Sequence, residues 1–200
     1  LGAIHRGFYT YEKTKYSNIP EWQLPIDLQN KFPLLPIICD PSHIGGKREL
    51  IFDISQTALD LNAAGLMIET HCDPDAAWSD AAQQVTPARL VQILNDLRVR
   101  KTTNTQEDYQ TALATLRSHI DLIDDQLLDL LKKRMAVSDE IGSLKKANNV
   151  AILQNQRWRE ILDKMIARGA ERNLSSEFIT LLFKAIHQES IARQEQILKQ

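Results

Sequence analysis

The chain has 200 residues, 43% hydrophobic and 25% charged, with a formal net charge of −2. That composition fits one large or two small soluble domains and excludes extended disorder and binding to nucleic acid by bulk positive charge. No run approaches the roughly 18 apolar residues of a membrane span and no signal-peptide pattern opens the chain. Its two cysteines, Cys39 and Cys72, give no disulfide framework, so a cytoplasmic protein without nucleic-acid or membrane partners is expected.

All seven prolines lie between Pro20 and Pro87, and five of the seven glycines lie by Gly65. A loop-rich first half therefore precedes a helical second half. The first half reads as repeated strand–loop–helix units. Leu1–Ile4 is the tail of a strand, with the chain opening on Leu1 inside that element, and Arg6-Gly7 begins the following loop. A short helix starts at Pro25 and passes Leu28. Leu34–Cys39 is an apolar strand ending at Asp40-Pro41-Ser42-His43, and Arg48–Ala63 has helical spacing. Gly65–Thr70 is a second buried strand, and Thr86-Pro87 opens a helix with a hydroxyl cap and proline at the first position. Strands alternating with helices imply a parallel sheet. Three strands cannot close a barrel, which needs about eight, so a barrel reading expects most of that domain outside this chain.

Polar residues fall at the carboxyl ends of these strands, where such folds keep their chemistry. His43, Glu69 and Asp80 are a plausible set for a divalent metal (Mn, Fe or Zn), although on spacing alone scattered His, Asp and Glu in loops are more often solvated or turn-forming.

Lys101–Asp108 is a polar linker. Beyond it, apolar residues from Leu113 to Leu144 alternate at spacings of three and four, the seam of one long helix, Tyr109–Ala147. Two shorter helices follow: Gln156–Arg168, stopped by Gly169, and one capped by Ser175 or Ser176. They are too short to cover a seam about 58 Å long, so a second copy of the chain is expected on it. Arg134 sits on the seam, where a guanidinium needs an anion, either a buried Asp or Glu or a ligand. Lys145 lies about 20° around the helix and about 16 Å along it. Arg117, about 25 Å from Arg134, reaches the same small ligand only from another subunit. Ser190 and Gln194, four apart, share one helix face and on their own read as solvated.

Two resemblances sharpen these readings. His5-Arg6-Gly7, Asp40-Pro41-Ser42-His43-xx-Gly46, Glu69-Thr70-His71 and Ser79-Asp80 resemble the final third of the metal-dependent DAHP synthase barrel over residues 1–100. This implies His43, Glu69 and Asp80 as metal ligands beside a cysteine from a strand not in this sequence, and Arg6 at the phosphoenolpyruvate site. It also implies condensation of phosphoenolpyruvate with erythrose 4-phosphate, an activity not expected of this chain alone. Leu116-Arg117, Ile123-Asp124, Leu130-Leu131-xx-Arg134, Ile141-Gly142-xx-Lys145, Arg157 and Ser190-xxx-Gln194 are similar to the all-helical chorismate mutases.

The second resemblance implies a dimeric three-helix domain over 109–200 that converts chorismate to prephenate without a cofactor. Arg134, Arg157 and Arg117 of a second copy would handle carboxylates, Lys145 and Gln194 the ether oxygen, and Ser190 a carboxylate. Gln154 and Trp158 stand where family members carry acidic residues for the ring hydroxyl. The expected fold is thus a partial α/β TIM-barrel segment followed by an all-α mutase. The order of the two suggests that prephenate or a related product restrains the synthase. A second reading is a non-catalytic dimerising sensor of chorismate or prephenate.

Overall fold

In the computed structural model, which describes residues 1–11, 13–101 and 103–199 without the Asn155 side chain, the chain divides at Thr105 and Gln106 into two units. Thr102 of the polar linker lies outside the described residues.

The first unit is built on a three-stranded parallel sheet, β1 (Ala3–His5), β2 (Ile37–Cys39) and β3 (Gly65–Leu66), ordered β1-β2-β3. Ala3 pairs with Ile37, and Ile38 with Gly65. Helix α1 (Gln23–Lys31) lies between β1 and β2, α2 (Pro41–Gly45) and α3 (Ile51–Asp60) between β2 and β3, and α4 (Pro87–Asp96) follows.

Strands β2 and β3 are both shorter than the sequence pattern suggests. Pro33 and Pro36 have no N–H to give to a ladder, and the chain turns at Phe32–Leu35 before pairing begins. Leu34 is exposed as a result. β3 has only the short β2 as neighbour, and β2 ends where Pro41 opens α2; Thr70, the expected end of β3, makes an isolated bridge with Val85. Arg48–Leu50 forms a 3₁₀ turn ahead of α3 rather than its first residues. At α4 the Thr86 hydroxyl accepts from the Arg89 N–H, the cap the sequence implies.

Two apolar clusters hold this unit. Cys39, Ile44, Ile54 and Ala58 form one, with Tyr16 and Trp22 against it. Ile51, Val85 and Ile93 form the other. Ile44, Ile51 and Ile93 are fully buried, and each contributes about 1.5–3 kcal/mol by leaving water.

The second unit is three helices: α5 (Glu107–Ala147), α6 (Asn155–Ala170) and α7 (Ser176–Lys199). α5 starts at Glu107, inside the polar linker, with Glu107 and Asp108 suitably charged for a first turn. α7 packs along α5 and against α6. Met135, Ser138 and Gly142 are the residues of α5 that this packing buries. The heptad seam lies to one side of them, with Leu116, Ile120, Ile123, Leu127 and Leu130 exposed. Among the described residues no helix is long and apolar enough to cross a membrane.

Gly169 does not stop α6 as its sequence position suggests. The helix runs on to Ala170, and the left-handed residue of the turn is Asn173 (φ 58°). What glycine supplies at 169 is space, because a Cβ there would lie 2.5 Å from Ile179 Cγ1. Ser175 caps α7 through its hydroxyl and the Phe178 N–H. Gly169→Ala should lower stability by about 1–3 kcal/mol, the usual cost of overpacking. Thermal unfolding should show a smaller penalty for the same step in an Ile179→Ala background.

Candidate functional site

The three helices of the second unit enclose a cleft of about 460 Å³. Arg134, on the seam of α5, is half-buried, and its Nη1 donates to Ser190 Oγ at 2.7 Å. The Ser190 hydroxyl in turn donates to the Ile186 carbonyl at 2.9 Å, which leaves its lone pairs to the guanidinium. One turn further along α7, Gln194 Nε2 meets Ser138 Oγ at 3.0 Å. Gln194 Oε1 is buried without a hydrogen-bond partner.

Lys145 lines the same cleft and donates from Nζ to the Ile152 carbonyl, tying the α5–α6 connection across the mouth. Gln154 and Arg157 lie at the exposed start of α6; the carboxylate near Arg157 is Glu160, 3.4 Å away and outside the cleft. Three cations thus face this space, and no carboxylate lines it among the described residues.

Among the described residues Arg134 forms no ion pair: its partner is the Ser190 hydroxyl, and burial lowers the guanidinium's pKa from its ordinary value. Ser190 and Gln194 are each only 7% exposed, against the solvated reading of their spacing alone, because that face of α7 turns onto Ser138 and Gly142 of α5. The structure gathers Arg134, Lys145, Gln154, Arg157, Ser190 and Gln194 at one cleft. Arg117 is exposed on α5 and is not among the lining residues.

The sequence reading passed over His187. Its ring stacks on Trp158 with centroids 4.0 Å apart and planes within 8°, joining α6 to α7 in the cleft wall. The available signal was its place three residues before Ser190, on the same helix face. Burial, then the charges of Arg134 and Lys145, hold the imidazole below its ordinary pKa of 6.5.

In the first unit, ligand atoms of His43, Glu69 and Asp80 lie within 4.8 Å of one another. The short α2 sets His43. Asp40, completely buried, caps it by accepting from the His43 N–H at 3.1 Å, and Gly46 ends it in a left-handed conformation (φ 64°). The other Asp40 oxygen takes the His43 Nδ1–H at 2.7 Å, which leaves the Nε2 lone pair turned toward Glu69 Oε1, 3.5 Å away. Glu69 is fixed from its far side by Gln83 Nε2 at 2.9 Å, and the Gln83 N–H binds the Asp80 carbonyl. Asp80 holds a left-handed backbone (φ 55°), uncommon outside glycine but tolerated by Asp.

Arg6 is exposed beside this group, its Nε 3.5 Å from Asp40. Cys39 is no candidate ligand, since burial and the Asp40 charge push its thiol up to about 12. The cavity by His5 and Trp22 holds only about 20 Å³, roughly one water.

Residues 2–106, more than half of the chain, match the family model described as the DAHP synthetase I family. The chain belongs to the DAHP synthetase I family. Residues 116–195 match the model of chorismate mutase type II. One relative of this DAHP synthetase I chain is the phospho-2-dehydro-3-deoxyheptonate aldolase of Thermotoga maritima, 31% identical over 46% of this chain and 27% of that protein. Another is the bifunctional chorismate mutase/prephenate dehydratase of Buchnera aphidicola subsp. Acyrthosiphon pisum, 39% identical over 44% of this chain and 23% of that protein.

A solved truncated form of 3-deoxy-D-arabino-heptulosonate 7-phosphate synthase from Thermotoga maritima is 31% identical over 46% of this chain and 35% of its own, with a TM-score of 0.43. The chain spans about a quarter of the length of the curated relatives it matches.

The lowered His187 pKa carries a sign for stability. The unfolded chain takes up a proton near pH 6.5 and the folded one only at lower pH, so this contribution is present above 6.5 and is lost on acidification. The helical unit should therefore lose Tm as pH falls from 7 toward 5, and an NMR titration should place His187 below 6.5. Removing one neighbouring charge with Arg134→Met should move that midpoint upward.

Proposed function

We propose that the helical unit catalyses the rearrangement of chorismate to prephenate. The observation that carries this is the half-buried Arg134 and Lys145, with the exposed Arg157, at a cleft that no carboxylate lines among the described residues. Such a site suits a compact dianion and lacks a counter-ion until one binds. The reaction is pericyclic and requires no nucleophile and no proton transfer, so its barrier falls through holding one conformer and stabilising charge that develops on the ether oxygen.

Arg134 and Arg157 bind the carboxylates. Ser190, its hydroxyl engaged with Arg134 and the Ile186 carbonyl, fixes the guanidinium and borders one carboxylate. Lys145 keeps further N–H donors besides the one on Ile152 and directs one to the ether oxygen. Gln194 gives the second donor: with the amide turned half a revolution, Oε1 accepts from Ser138 and Nε2 takes the buried position that has no partner in the chain, where the ether oxygen would satisfy it. Gln154 borders the ring hydroxyl at the mouth. Arg117 is supplied by a second copy, in a homodimer that covers the exposed seam. No cofactor takes part.

Loss of chorismate's ultraviolet absorbance measures turnover by the full chain. Arg134→Ala should lower kcat/KM at least about 100-fold. Mixing Arg117→Ala with Arg134→Ala chains should restore about a quarter of wild-type activity, since one of the two sites in a mixed dimer is intact. Binding of chorismate by the wild-type chain without turnover would establish the sensor reading instead.

For the first unit we propose a role in condensing phosphoenolpyruvate with erythrose 4-phosphate. The nitrogen and two carboxylates of His43, Glu69 and Asp80 fit a divalent ion such as Mn, Fe or Zn, with Asp40 orienting the His43 ring and Gln83 holding the Glu69 carboxylate. When bound, such an ion supplies Lewis acidity for the aldehyde. Arg6 stands beside this group as a cation for the phosphoenolpyruvate anion. Titration with Mn²⁺ followed by electron paramagnetic resonance should show binding that His43→Ala abolishes. His71→Ala should leave it intact, because the His71 Nδ1 is occupied by the Asp73 N–H.

A further inference from the structure

The cations, Gln194 and Ser190 account for the carboxylates and ether oxygen of the proposed substrate, with only the exposed Gln154 beside its ring hydroxyl. The indole of Trp158 on α6 covers one face of the His187 imidazole on α7, with the planes nearly parallel. Stacking restricts the imidazole to turning in its own plane and leaves its edge free. Neither ring nitrogen of His187 has a hydrogen-bond partner among the described residues, although both rings line the cleft. A rigid polar edge without a partner, beside a flat apolar surface, matches a small ring bearing one hydroxyl. Gln154, the other uncharged polar group at this end, is exposed at the mouth and less constrained.

We propose that His187 is a specificity-determining residue that hydrogen-bonds the substrate's ring hydroxyl, and that Trp158 is the positioning residue that holds its ring plane. This rests on the mutase reading above. The groups facing His187 are cationic: Arg134 and Lys145 from α5 and Arg157 from α6, with Ser190 on its own helix. No acid stands among them to favour a proton on the ring. The neutral ring accepts at one nitrogen and donates at the other, so it serves a hydroxyl in either sense. A protonated ring would add a fourth cation and lose its acceptor.

The test is steady-state kinetics of the full chain on chorismate and on an analogue with hydrogen in place of the ring hydroxyl. His187→Leu should lower kcat/KM for chorismate about three- to tenfold, the usual worth of one neutral hydrogen bond, mainly through KM, and leave the analogue unchanged. His187→Asn should retain most of the discrimination between the two substrates. Trp158→Phe should preserve it and Trp158→Ala should reduce it. The wild-type profile of kcat/KM should fall on acidification below pH 6.5, and that limb should vanish in His187→Leu.

Equal loss on both substrates, or no loss on chorismate, overturns this inference while wild-type turnover keeps the mutase reading. A wild-type chain that leaves chorismate unchanged overturns both.

Discussion

At Gly142 the α5 and α7 helices approach so closely that a Cβ would lie 3.0 Å from Gln194 Cγ and 3.3 Å from its Cα. That contact fixes the register between the helices and, through it, most of the cleft. Given the spacing, Ser138 comes opposite Gln194 and Arg134 opposite Ser190, each pair within hydrogen-bonding distance. The same approach buries both polar residues of α7. Buried polar groups are costly unless paired, and here each finds a partner on α5, Ser190 with Arg134 and Gln194 with Ser138, with the Gln194 oxygen left over. Helix packing and site chemistry are therefore a single arrangement, which a larger residue at 142 would disturb in both respects.

The histidine site of the first unit is assembled on a different plan. It depends on one buried carboxylate, Asp40, that caps a five-residue helix with one oxygen and orients an imidazole with the other. A loop glutamine on the far side clamps Glu69 and touches the backbone of Asp80. Neither Asp40 nor Gln83 belongs to the candidate ligand set, yet together they decide which atoms the set presents.

How much of this was readable beforehand depended on whether the signal was local. The Thr86-Pro87 helix start, the long helix and the Arg134–Lys145 face follow from caps and periodicity, which are properties of neighbouring residues. The strand ends were not readable, because the length of β3 is set by how soon Pro41 terminates its neighbour β2. Gly169 was misread for a related reason: its role is defined by Ile179, ten residues away, and not by the helix that contains it. Ser190 and Gln194 are polar at spacings that suit solvent, and only the approach of α5 puts them inside. His187 had no sequence signal of its own strength, since its importance comes from a ring on another helix.

The half-burial of Arg134 without an acid beside it also bears on the folding equilibrium. Its desolvation is part of the free energy of the helical unit, and an anion entering the cleft beside it would offset that cost. Ligand binding and folding are then thermodynamically linked, so a hundredfold excess of ligand over its Kd adds about 2.7 kcal/mol to stability. A cleft that takes the proposed dianion would thereby let the supply of that anion act on the amount of folded protein.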